Sequence, residues 1–107
     1  MFPKEKRINL GQEFKKIASG KNIQSKYLSI FIKDGTGLTR VGVAVSSKNF
    51  KAAHQRNRVR RIVSTAFESL YSKLPKGKLI IALPKKEALG VKSKDVLIDI
   101  ESALKKE

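Results

Sequence analysis

Residues 39–71, TRVGVAVSSKNFKAAHQRNRVRRIVSTAFESLY, change hydrophobic period partway along. From Thr39 to Ser46 the period is two, with Val41, Val43 and Val45 on one side and Arg40, Gly42, Ala44 and Ser46 on the other. That alternation predicts a half-buried strand. From about Ala52 to Tyr71 the apolar residues Val59, Ile62, Val63, Ala66, Phe67, Leu70 and Tyr71 step by 3, 1, 3, 1, 3, 1. Such spacing winds one apolar stripe onto a helix, which would extend roughly 30 Å. Beyond it, Pro75-Lys76-Gly77 leads into the apolar run Leu79–Leu83, stopped by Pro84, which predicts another strand.

Working outward, Lys26–Lys33 alternates again, with Leu28, Ile30 and Ile32 opposite Tyr27, Ser29, Phe31 and Lys33. The link Asp34-Gly35-Thr36-Gly37 carries turn chemistry, so these two strands are expected to pair as an antiparallel hairpin. A short helix is expected over Leu10–Ser19. Asn9 is its cap, Gln12 stands in capping-box position, and Leu10, Phe14 and Ile17 share one face. Gly20 suits the left-handed position after such a helix. A closing helix over Ser93–Lys105 takes Ser93 as cap and Val96, Ile100 and Leu104 as its apolar face. The order α-β-β-α-β-α, with room for one extra short strand, predicts an α+β fold, a two-layer α-β sandwich. No repeat or linker divides the chain, so residues 1–107 are expected to form a single domain, with 1–8 as a flexible basic arm.

The composition narrows function. The chain has 107 residues, 24 Lys plus Arg against 9 Asp plus Glu, and a formal net charge of +15. Hydrophobic residues make up 40%, enough for one modest core. No cysteine is present, which excludes a disulfide framework and a thiolate zinc site. No apolar run approaches the roughly 18 residues of a membrane span. MFPKEKRINL has no apolar signal region, so a soluble cytoplasmic domain is expected. A charge this large points to phosphate-rich partners. Its distribution sharpens the point, because no acid occurs between Asp34 and Glu68, whereas Lys48, Lys51, Arg56, Arg58, Arg60 and Arg61 crowd together. A merely solubilising surface would intersperse both signs.

At 100° per residue, Val59 and Ile62 face the core while Asn57, Arg58 and Arg61 project outward, and Arg56 and Arg60 share a flank. A helix carrying guanidinium forks on its exposed side offers bidentate contacts to phosphates in a fixed array. Without a nearby acid, the arginines only repel one another in the free protein. The second face of the sheet carries Tyr27, Ser29, Phe31, Gly42, Ala44 and Ser46. Small residues beside aromatics make a shallow trough suited to stacking single-stranded bases. Equally, Phe31 and Tyr27 could pack with Phe14 under the first helix. Protein-based catalysis lacks support. His54 is the only histidine and has no carboxylate or nucleophile beside it; it suits a capping or phosphate-contact role. The acids form no closely spaced set for two metal ions.

Arg40-Val41-Gly42-Val43-Ala44-Val45-Ser46, Lys48, Ala53-His54 and Arg56-Asn57-Arg58-Val59-Arg60-Arg61 together resemble the protein subunit of bacterial ribonuclease P. The shared pattern is R-x-G-x-x-V-S-x-K followed, about seven residues on, by R-N-R-x-[KR]-R opening a helix. Phe14 with Gly20, the strand Leu79–Leu83 and the closing helix also match the family outline, so the resemblance spans nearly the whole chain. It implies a left-handed strand-helix-strand crossover, against the usual preference. It implies a protein cofactor of a ribozyme, binding ribonuclease P RNA and the 5′ leader of precursor tRNA. Hydrolysis would be performed by Mg²⁺ held mainly by the RNA, with no protein catalytic residue, no cofactor bound by the protein alone, no membrane and no small-molecule substrate. By position, Lys48, Lys51, Arg56, Asn57, Arg58, Arg60 and Arg61 would contact the catalytic RNA. Phe14, Ala18, Tyr27, Ser29, Phe31, Ala44 and Ser46 would line the leader cleft. The chain departs from the family where Ser47 replaces Lys, Ala18 an aromatic and Ser64 Arg, which implies weaker leader contacts or compensation by Lys15, Lys16 and Lys33. Two other readings compete: a ribosomal or other structural RNA-binding protein, and a protein nuclease.

Overall fold

A computed structural model describes residues 6–8, 10–35 and 37–105. Helix α1 spans Leu10–Ala18, followed by strands β1 (Lys21–Gln24), β2 (Leu28–Asp34) and β3 (Arg40–Val43). Helix α2 (Ala53–Leu70) runs into a 3-10 turn over Tyr71–Lys73, and β4 (Lys78–Pro84) and α3 (Ser93–Lys105) complete the chain. β1 is the extra short strand for which the sequence left room.

The four strands lie in the order β1-β2-β4-β3. β4 pairs antiparallel with β2 and parallel with β3, so β3-α2-β4 is the crossover unit. The hairpin expected between β2 and β3 therefore does not form; β4 lies between them. The reason is in β4 itself. Leu79, Ile80, Ile81 and Ala82 are all buried, so both faces of the strand are covered and both edges need partners. At an edge it would expose a row of backbone groups beside continuous apolar surface. The Asp34–Thr39 link instead passes the entry to β4, where Gly35 N donates to Gly77 O at 2.8 Å.

The two faces of the sheet bury separate clusters. On one face Leu28, Ile30, Val41, Ile80 and Ala82 meet Val59, Val63, Ala66, Phe67 and Leu70 of α2, with Val96, Ile100 and Ala103 of α3. The stripe expected on α2 is therefore the core face, with Ile62 and Tyr71 at its half-buried margins. On the other face Ile8, Ile17, Leu79 and Ile81 cluster with Phe14, Phe31 and Ala44.

Several local expectations change. Strand β2 begins at Leu28 rather than Lys26, and β3 ends at Val43 rather than Ser46. Gly20 does not adopt the left-handed conformation. Its need is closeness: a Cβ there would sit 2.6 Å from Ile32 O and 3.1 Å from Lys33 Cβ. Ser93 is not the principal cap of α3, because Asp95 Oδ2 reaches back to accept from Lys92 N at 3.1 Å. Helix α2 starts after Ala52, which offers no side-chain acceptor; Gln55 Oε1 accepts from Ala52 N at 3.3 Å. The last residues of the arm expected to be flexible are docked: Arg7 bridges Val41, and Ile8 N donates to Val41 O at 3.3 Å. Lys6 Nζ lies 4.4 Å from the Tyr71 ring centroid. This contact covers the outer edge of β3. Residues 1–5 of that arm and the Asn9 cap lie outside the described residues.

Asp99 of α3 joins the layers, accepting from Lys26 N at 3.0 Å and Tyr27 N at 2.9 Å. Asp99→Ala strands two donors and should lower stability by about 1–2 kcal/mol. Urea unfolding would read the loss, and faster hydrogen exchange at the Lys26 and Tyr27 amides would localise it. At the far end of the sheet, Lys78 hydrogen-bonds Asp34 and holds its carboxyl below the usual carboxylate range. The Asp34 carboxylate is exposed, so this pair adds little stability.

Candidate nucleic-acid interface

The first turns of α2 carry the basic array. Val59 is fully buried and fixes the helix rotation, which leaves Asn57, Arg58 and Arg61 exposed and Arg56 and Arg60 half-buried. Arg60 Nη1 donates to Asn57 Oδ1 at 3.1 Å, which orients both side chains. The first turn contains no acid, so the helix N-terminus adds its positive potential to the array.

Arg56 has a role that the sequence did not disclose. Its Nη1 lies 2.9 Å from both Phe50 O and Lys51 O, stapling the preceding loop to the helix. Phe50 plugs the loop into the core, and Ser46 closes its other end. Ser46 O accepts from Phe50 N, and Ser46 Oγ accepts from Lys48 N, each at 3.0 Å. Lys48 and Lys51 are thus displayed from an ordered loop. Ser46, expected on the trough, belongs to this turn instead, because β3 and its alternation end at Val43.

A shallow, open cleft of about 620 Å³ runs beside the array. His54, Asn57, Arg58, Arg61 and Ile62 line one side, and Val91, Lys92 and Ser93 the other. Lys92 and Ser93 escaped the sequence reading because only the packing of α3 against α2 brings them there. Three cations and an imidazole around an open, non-enclosing cleft suit a phosphodiester backbone better than a small molecule. Ser64, where the related pattern carries Arg, is buried, so its neutrality does not thin this exposed array.

The second surface lies on the opposite face of the sheet. Phe14 and Phe31 share the cluster built on Ile17, Leu79 and Ile81, and both remain half-buried. Thus they pack beneath α1, as one reading expected, while part of each ring stays accessible. Ala18, Ser29 and Ala44 are also half-buried around this trough. Tyr27 is not among them. It packs against the α2/α3 core, and its amide is held by Asp99. Residues 25–27 form a turn, so the alternation that would have placed Tyr27 beside Phe31 does not extend to it.

β1 adds a polar margin. Asn22 stands opposite Phe31 and Gln24 opposite Ser29, so both share the trough face. Gln24 Nε2 donates to Asn22 Oδ1 at 2.6 Å and to Ser29 Oγ at 2.8 Å. Across the trough, Arg40 donates to Glu13 through both terminal nitrogens, at 3.2 and 2.7 Å. Lys15 and Lys16 are exposed on α1, and Lys33 Nζ donates to Lys16 O at 3.3 Å. Among the described residues, no group of three His, Cys, Asp or Glu could hold a metal ion, and no helix is long and apolar enough to cross a membrane.

A family model described as Ribonuclease P matches residues 2–107. The ribonuclease P protein component of a Pseudanabaena species is 33% identical, covering 91% of this chain and 92% of that protein. The component from Clostridioides difficile is 32% identical, covering 98% of this chain and 94% of that one. Among solved structures, the RNase P protein from Thermotoga maritima superposes with a TM-score of 0.82 at 28% identity, over 94% of this chain and 96% of that chain.

Proposed function

From the membership of this chain in the ribonuclease P protein family, we infer that its two surfaces bind two RNAs at once. The chain is the protein subunit of ribonuclease P, the endoribonuclease of tRNA processing. The α2 array, with Lys48, Lys51, Asn57, Arg58, Arg60 and Arg61, grips the catalytic RNA, while Arg56 holds the loop in place. The trough between α1 and the sheet takes the single-stranded 5′ leader of precursor tRNA. One observation carries this reading: a cationic cleft and a half-buried aromatic trough sit on opposite faces of one rigid sheet, joined through the 44–52 loop. The ribosomal or structural alternative accounts for the charge but not the trough.

The chemistry in this reading needs no protein nucleophile. When bound, RNA-held Mg²⁺ supplies the activated water for phosphodiester hydrolysis. The protein's residues neutralise and position phosphates, which favours substrate binding through charge-assisted contacts and counterion release. His54 stands on the cleft wall among cations rather than beside a carboxylate, a setting for phosphate contact.

The test is reconstitution with a bacterial ribonuclease P RNA at low Mg²⁺. The protein is expected to restore cleavage and to make precursor tRNA bind more tightly than mature tRNA. Equal affinities would remove the leader site, and clean 5′ processing by the protein without RNA would overturn the non-catalytic role. Phe31→Ala should weaken binding of leader-containing precursor by about 1–3 kcal/mol, the value of one base stacked on an aromatic ring. Mature tRNA should be unaffected in the same titration.

A further inference from the structure

Helix α1 is held over the sheet by different means along its length. Just beyond its C-terminus, Gly20 brings the chain against the β2 backbone, and Lys33 Nζ caps Lys16 O. Phe14 and Ile17 pack with Phe31 of β2 and with Leu79 and Ile81 of β4. These contacts anchor α1 to β2 and β4. Its first turn is tied to β3 by the Glu13–Arg40 fork. Two N–H···O bonds between planar groups fix an angle as well as a distance, which a single ammonium contact would not. The Arg40 and Glu13 side chains are 32% and 23% exposed, so solvent screens the pair less than one at the surface. Gly42 and Ala44, the other trough-facing residues at the β3 end, are too small to prop the helix away from the sheet.

We propose that the Glu13–Arg40 fork is the strut that sets the width of the leader trough, which makes both side chains positioning residues for the 5′ leader. The proposal rests on the reading of the trough as the leader site. Arg40 then acts through α1, with its fork facing a carboxylate rather than a phosphate. Losing either partner frees the first turn of α1 to shift relative to β3, and the trough no longer matches a single strand. The catalytic RNA, bound on the opposite face, is unaffected by that shift.

The holoenzyme reconstituted with ribonuclease P RNA separates the possibilities when precursor and leaderless tRNA are each titrated. Wild type, Glu13→Gln, Arg40→Lys and the exchange Glu13→Arg with Arg40→Glu are compared, with thermal midpoints recorded. Arg40→Lys keeps the charge and removes the fork. Each single variant should lower the precursor-to-leaderless affinity ratio about three- to tenfold, through a raised KM with kcat within about twofold of wild type. Affinity for leaderless tRNA should hold, and the exchange should recover most of the ratio. An unchanged ratio in both single variants overturns the strut, whatever their thermal midpoints. If Glu13→Gln tightens both RNAs, Arg40 is itself an RNA ligand and the strut is again overturned. A wild-type protein that binds both tRNAs equally overturns the leader reading, and the strut with it.

Discussion

Replacing Arg58 and Arg61 together by alanine is expected to weaken binding to ribonuclease P RNA by roughly a hundredfold or more while leaving the fold intact. Both side chains are exposed on the outward face of α2, so truncation removes little packing. Each guanidinium bound to a phosphate makes charge-assisted hydrogen bonds worth about 1.5–3 kcal/mol. Each lost phosphate contact should also flatten the dependence of log K on log salt by roughly 0.7–0.9. A filter-binding or fluorescence titration across a salt series reads both quantities. A slope equal to that of wild type would take this helix out of the RNA interface. Arg56→Ala should behave differently, because it releases the Phe50 and Lys51 carbonyls and loosens the loop that carries Lys48. Its loss of affinity should come with a lower unfolding midpoint, whereas that of the Arg58/Arg61 pair should not.

Phe67→Ala is expected to cost about 3–5 kcal/mol of folding stability, the range for deleting a fully buried aromatic side chain. Phe67 has no exposed surface and lies in the main cluster, where α2 meets the sheet and α3. The cost combines lost transfer energy with a cavity that three packed elements cannot readily close. Domains of this size have a total stability of only about 5–15 kcal/mol, so the variant should sit near its threshold. Urea unfolding with an unchanged m-value would establish the effect as one on the native state. Thr65→Ala, an exposed change on the opposite side of the same helix, should stay within about 0.5 kcal/mol of wild type. A loss below about 1 kcal/mol at Phe67 would mean that α2 does not dock as described.

Much of this architecture was legible because the period of a sequence depends on local geometry alone. The shift from period two to 3.6 after Ser46 placed β3 and α2, and the spacing of Val96 and Ile100 placed α3. The RNRVRR segment disclosed its outward arginines because Val59 and Val63 leave the helix one rotation that buries them. Turn chemistry was less informative. Asp34-Gly35-Thr36-Gly37 correctly marked a reversal, but a reversal does not state whether the next strand pairs beside the last or beyond a third. Tyr27 was misplaced for a related reason, since alternation holds only within a strand and the 25–27 turn is organised by Asp99, more than seventy residues away.

The sequence by itself determined the three helices and the central residues of β2, β3 and β4, which faces are apolar, where the positive charge concentrates and which family pattern the chain carries. All of these follow from side-chain type and spacing within one segment. The tertiary structure decided that β4 takes the centre of the sheet, that Lys92 faces the arginine cleft, that Arg56 staples a loop and that Glu13 meets Arg40. Each is a contact between groups distant in sequence, selected by burial of both faces of β4 and by the pairing of polar groups that this burial withdraws from water.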